Sequence, residues 1–322
     1  MTSSSVGLVY DPIFLEHESP PGHPERPERL SACIDALVEA RLMDHFVPVE
    51  ARPATRAELL RVHDERYLEL LDKEARGESG YLDGDTFFSP RSIDAAERAA
   101  GGCVALIEDV LADKLAAGLA LVRPPGHHAG RARPAGFCIL NNIAVAAAAA
   151  RDAGQRVAIV DFDVHHGNGT QEQFYDDPRV LLVSMHRYGG FYPGSGWSAE
   201  RGAGNGVGAT VNIPLAAGAG NSEYLTALAE RVLPELDRFR PDVMLVSAGF
   251  DAHRRDPLGG MTLDREGYAA ITSRLADRAQ TLCQGRWVAV LEGGYDLQAL
   301  GEGTVALARA LLGQGVARGG PR

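Results

Sequence analysis

Short apolar runs alternate with longer amphipathic stretches along most of this chain. Near-continuous apolar runs occur at 6–10, 119–122, 157–160, 180–184, 210–213, 243–247 and 287–291. Each has the length and make-up of a strand buried on both faces. Helical patterns lie between most of them. One spans about 27–40 and starts on Pro27, a residue that opens helices readily. TRAE (55–58) has the form of a capping box. Ser89-Pro90 opens an amphipathic stretch to about Ala112, and the Ala-rich 144–150 reads as a tightly packed helix. Further helices are expected at about 222–238, 264–282 and 297–312. This rhythm predicts an α/β fold: a single domain over 1–322, with a mostly parallel sheet covered by helices and a tail frayed from about Gly313.

In such sheets ligands bind beyond the carboxyl ends of the strands. The stretches that follow the apolar runs are RPPGHHAGR, DFDVHHGNG, MHRYGGFYPGSG, AGFDAHRRDPLGG and EGGYD. They carry His127, His128, Asp161, Asp163, His165, Asp251, His253 and Tyr295, while the runs themselves hold almost no charge. Imidazoles, carboxylates and a phenol are thus expected along one rim.

Composition narrows the classes. A formal charge of −11 argues against a nucleic-acid-binding surface and tolerates a cationic substrate or a basic peptide. Cys33, Cys103, Cys138 and Cys283 show no metal-type pairing and read as reduced and buried. The first ten residues lack the make-up of a signal peptide, and no apolar run approaches a membrane span, so a cytoplasmic location is expected.

Two carboxylates and one imidazole, from Asp163, His165 and Asp251, suit Zn²⁺ or a similar divalent ion with a position left for water. In an extended segment Asp163 and His165 would project to one side, with Asp161 deeper and placed to hold an imidazole. Asp residues after strands more often form turns; four acidic or imidazole groups after one core strand, matched by another after a second, favour the metal. His127 and His128 can exchange protons with a reacting group. The Tyr295 hydroxyl, beyond two glycines, can polarise a carbonyl.

HPERPERL, RPPGHHA, GFCILNN, VDFDVHHGNGT, FYPGSG, AGFDAHRRDPLGG and LEGGYD occur in an order that resembles the histone deacetylase superfamily, from about Gly7 to Asp296. That group includes acetylpolyamine amidohydrolases and acetoin-utilisation proteins. The resemblance implies the arginase–deacetylase fold, with an eight-stranded, mostly parallel sheet, and zinc-dependent hydrolysis of acyl-lysine or a related amide. It implies Asp163, His165 and Asp251 as ligands of Zn²⁺ or Fe²⁺. His128 would be the base, His127 the acid and Asp161 the group that orients His127. Tyr295 would bind the carbonyl oxygen. Gly136, Phe137 and Tyr192 would line the substrate channel, and Asp85 would hold substrate backbone at its rim. A structural K⁺ is implied at Asp161, Asp163, His165, Ser184 and Met185. Asn168 stands where class I members carry Asp, as in class II, and should leave His128 less basic.

Leu258 occupies a place where polyamine-selective relatives can carry a glutamate. It therefore favours acyl-lysine in a protein or peptide over an acetylated polyamine, which stays the alternative. ESGYLDGD (78–85) could add acidic groups to the rim for either cation. A non-catalytic acyl-lysine binder is a third reading; such a chain should have lost a ligand or the phenol, and this one has not. HPERPERL is expected to pack behind the site.

Overall fold

The computed structural model describes residues 5–314. The expectations for the extreme N-terminus and the tail therefore fall, at 1–4 and 315–322, outside the described residues. The strands are β1 (Val6–Val9), β2 (Phe46–Val49), β3 (Gly80–Tyr81), β4 (Phe87–Phe88), β5 (Ala117–Ala120), β6 (Val157–Asp161), β7 (Val180–Arg187), β8 (Thr210–Leu215), β9 (Val243–Ala248) and β10 (Trp287–Leu291). Eight of them form one sheet in the order β2-β1-β5-β10-β9-β6-β7-β8. Every pairing in it is parallel. β3 and β4 make a separate antiparallel hairpin.

The seven apolar runs all become strands of the large sheet. The eighth, β2, carries Pro48 and an exposed Val47. It can include proline because it lies at the sheet's edge, where a missing donor costs no ladder bond. The strand of the second apolar run, β5, sits two residues earlier than that run: Ala117–Ala120 pairs with β1 and β10, and Leu121 and Val122 continue beyond the ladder.

Helices fall into two groups that cover the sheet. One holds Glu28–Glu39, Arg265–Cys283 and Leu297–Leu311, the other Ser92–Leu111 and Asn142–Asp152. The Ala-rich helix is buried along nearly its whole length, since small side chains let it lie close to its neighbours. A 3.6-residue pattern across 222–238 becomes Asn221–Ala227 and Leu233–Phe239, joined by a π-helical turn at Leu228–Val232. All four cysteines are buried free thiols. Among the described residues no helix is long and apolar enough to cross a membrane.

The crossovers decide where chemistry can gather. The chain builds β1, β2 and β5 on one side, moves away to build β6, β7 and β8, and returns with β9 and β10 to fill the middle. The four central neighbours β5, β10, β9 and β6 therefore bring their carboxyl ends together from segments far apart in sequence.

Candidate metal centre and imidazole pair

Asp161 is the last residue of β6, and the chain turns immediately afterwards. Its Oδ1 accepts the Asp163 N–H at 3.0 Å, and Asp163 Oδ1 accepts the His165 N–H at 2.9 Å. The segment is thus a succession of side-chain-capped turns, not the extended run expected from sequence. A polar backbone leaving a core strand must find partners, and the aspartates supply them. The turn-forming reading of these residues holds, and it leaves the ligand reading open to them. From β9, Asp251 Oδ1 accepts the Val164 N–H at 2.9 Å and so ties the two loops to each other.

Asp163, His165 and Asp251 converge, each offering a ligand atom within 4.8 Å of the others. His165 Nδ1 lies 3.0 Å from Asp251 Oδ2 and 3.2 Å from Asp163 Oδ1. Asp163 and Asp251 are fully buried. Burial, then the nearby Asp163 carboxylate, push the Asp251 carboxyl up to about 7. Burial alone would lower the His165 imidazole, but its hydrogen bonds to the two carboxylates outweigh that and raise it to about 10. Two buried carboxylates around one ring nitrogen call for positive charge between them, and this donor set fits a divalent ion.

The loop after β5 brings two imidazoles beside this cluster, with ring centroids 4.0 Å apart and both rings buried. Their surroundings differ. His127 Nδ1 faces Asp161 Oδ2 at 3.0 Å. Burial lowers its pKa, but the charges of Asp163 and Asp161 prevail and raise it to about 10. His128 Nδ1 faces the neutral Asn168 Oδ1 at 2.7 Å, and burial followed by repulsion from His127 and His165 holds it well below its ordinary value. The hydrogen bond to Asn168 opposes this lowering without overcoming it. Asn168 is the first residue of the helix Asn168–Phe174, which fixes where its amide points.

Beyond β10, the Tyr295 N–H donates to Asp256 Oδ2 at 2.7 Å. Its ring meets Phe137 edge-on at 5.9 Å and lies 5.0 Å from the Arg29 guanidinium. Burial keeps its phenol well above its ordinary pKa, so the hydroxyl retains its proton. Gly136 (φ 53°) and Phe137 (φ 69°) are both left-handed, and this turn presents the Phe137 ring. A Cβ on Gly136 would strike the His128 ring, so glycine is required there. Tyr192, 41% exposed, sets its ring at 5.1 Å from His128. Asp85 Oδ1 accepts the Gly136 N–H at 3.2 Å, which places Asp85 at the same rim.

Ser184 and Met185 lie in β7; Ser184 is in register with Asp161, and its Oγ is 2.8 Å from His186 Nδ1. Leu258 is 37% exposed, its N–H donating to Asp256 Oδ1 at 2.9 Å. His253, on the same rim in sequence, is buried against Tyr268 and is not part of the cluster.

Four contributors were missed by sequence reasoning. Phe191 stacks on His165 at 4.9 Å with planes 10° apart, beside a residue chosen for its match to a channel wall. Asp256 supports Tyr295, and its place in HRRDPLGG beside two arginines gave no cue. Glu292 Oε2 accepts the Gly126 and His127 N–H groups at 2.7 and 3.1 Å. Arg29 donates to the carbonyls of Glu292 and Gly294 at 2.5 and 2.6 Å. Arg29 belongs to HPERPERL, so that segment does pack behind the site.

Residues 23–311 match the histone deacetylase domain. The chain is 41% identical to histone deacetylase 15 of Arabidopsis thaliana over 97% of its own length and 57% of that relative's. It thus spans little more than half of that protein. It is 41% identical to a probable deacetylase of Archaeoglobus fulgidus, over 91% of this chain and 82% of the relative. It is 42% identical to the polyamine deacetylase HDAC10 of Homo sapiens, over 90% of this chain and 44% of the relative. The crystal structure of the HDA15 HD domain superposes with a TM-score of 0.92 at 41% identity, covering 97% of this chain and 89% of that one. With the domain match covering most of its length, the chain belongs to the histone deacetylase family.

Proposed function

We propose that this protein is a metal-dependent amidohydrolase that removes acetyl or other acyl groups from lysine side chains of proteins or peptides. The observation that carries the reading is the convergence of Asp163, His165 and Asp251 beside two imidazoles held in opposite electrostatic settings. A divalent ion, Zn²⁺ or Fe²⁺, held by those three would polarise the amide carbonyl and acidify water.

The chain's own groups then divide the work. With its Nδ1–H directed to Asn168, His128 keeps a free Nε2 lone pair and takes the proton that water gives up on attack. His127, stabilised as imidazolium by Asp161 and Asp163, delivers a proton to the departing amine. Tyr295, its phenol protonated, donates a hydrogen bond to the oxygen as negative charge develops. Phe137 and Tyr192 flank the methylene stem, Gly136 leaves it room, and Asp85 accepts N–H groups of the substrate backbone.

Leu258 supports acyl-lysine over polyamine, since an apolar residue offers no counter-charge to a distant ammonium. The identity to HDAC10 favours the acetylpolyamine reading as the second one. Turnover of acetyl-lysine peptides, longer acyl-lysine peptides and acetylated polyamines, each with and without chelator, separates them. Acetyl-lysine turnover that chelation abolishes is expected. In that assay Tyr295→Phe should lower kcat by about 10²–10³-fold with little change in KM. Wild-type turnover by the Phe variant would refute the role given to the phenol.

A further inference from the structure

Directly after β10 stands a carboxylate that the chemistry above does not use. Glu292 is fully buried. Its Oε2 accepts two backbone N–H groups, from Gly126 and His127, while Oε1 has no hydrogen-bond partner among the described residues. Those amides belong to the loop that carries both imidazoles. On the other side of that loop the Thr170 N–H holds the His127 carbonyl at 3.1 Å. In the next residues the Gly293 N–H donates to Asp163 Oδ2 at 2.8 Å, and Tyr295 follows. One four-residue stretch therefore grips the histidine loop, touches a carboxylate of the metal cluster and carries the phenol.

We propose that Glu292 is a positioning residue: its Oε2 pins the Gly126–His127 backbone and thereby sets where the two rings stand against Asp161, Asp163 and Asn168. The inference rests on the catalytic reading above for its kinetic consequence. An apolar side chain at 292 would leave two inward-facing amides without an acceptor. The loop has little room to find another, because a Cβ on Gly126 would already meet the backbone of Asn142 and Leu140. With one oxygen partnerless, the position needs an acceptor but makes no evident use of a second one.

Glu292→Ala and Glu292→Gln test this. Glutamine keeps an acceptor for the two amides and puts an amino group where the partnerless oxygen stands. The Ala variant should lose about 100-fold in kcat at nearly unchanged KM, as misplaced catalytic groups do, and Gln should restore most of it. Amide hydrogen exchange at Gly126 and His127 should quicken about tenfold or more in the Ala variant and stay near wild type in the Gln variant. If the Ala variant fails to fold, Glu292→Asp, which draws the oxygens back by one methylene, is measured in its place. Wild-type kcat and protection in the Ala or Asp variant overturn the proposal. So does a Gln variant as impaired as Ala in both measurements. A wild-type protein that turns over no acylated amine refutes the functional reading instead, and exchange at the two amides still decides the role of Glu292.

Discussion

At the cluster, Asp161 and Asp251 each hold backbone with one oxygen and face an imidazole with the other, while both oxygens of Asp163 accept backbone N–H groups. The turns thus pre-set the carboxylate oxygens, and under the proposed function protons compete with a metal ion for them. Asp251 faces Asp163, His165 and Asp256, and its pKa of about 7 lies above the ordinary carboxyl value. In the metal-free protein this raised group contributes stability at acid pH that is lost as pH rises from about 4 through 7. His165, raised to about 10, keeps its contribution further and loses it as pH rises from about 6.5 through 10. A divalent ion takes the place of both protons, so the thermal stabilisation it gives should grow as pH rises from about 6 to 8. Thermal melts at fixed Zn²⁺ activity measure this. A gain that is flat across the range, or unchanged in Asp251→Asn, would contradict the assignment.

Among the elements, the capping box at 55–58 is present in full: Thr55 Oγ1 accepts the Glu58 N–H, and Glu58 Oε2 accepts the Thr55 N–H at 2.7 Å. Although burial opposes it, the bond to Arg52 and the Thr55 N–H hold Glu58 down at about 2. Its contribution is therefore present above the ordinary carboxyl pKa and fades as pH falls towards 2. Thr55→Ala should cost about 1 kcal/mol in urea denaturation at neutral pH, and an unchanged midpoint would show that tertiary packing alone holds this turn. Elements of this kind were legible because their signals are local. Caps, the period of the long helices and the fully apolar runs all declare themselves within a few residues. β2 was not legible, because Pro48 and exposed Val47 break the strand pattern at an edge where the sheet tolerates both. The carboxylates, imidazoles and phenol of the cluster could be named from their places after strands. Glu292, Asp256 and Arg29 could not, since they act through backbone amides and carbonyls hundreds of residues or a whole loop away.

Across the whole molecule a buried ionic group ties the N-terminal segment to the sheet. Arg123, just past β5, pairs with Glu25 at 2.5 Å and donates to the carbonyls of Phe14 and His17. Glu25 also pairs with Arg29, which reaches the backbone under Tyr295. Removing one partner leaves buried charge and carbonyls unmet, so Arg123→Met should destabilise the fold by about 3–5 kcal/mol. A loss below about 1 kcal/mol in chemical denaturation would mean that Glu25 is satisfied by Arg29 and His17 without it.

The order of the central strands carries a consequence for biosynthesis. Until β9 and β10 emerge from the ribosome, the nascent sheet is two halves whose inner borders, β5 and β6, are naked along their full length. Such borders invite pairing with other chains. Two of the three residues proposed to hold the metal wait on the β6 half for Asp251, and the phenol arrives later still. The most vulnerable moment of this protein's life is therefore the one just before its reaction centre closes, and a chaperone that shields those two borders would be protecting the future site as much as the fold.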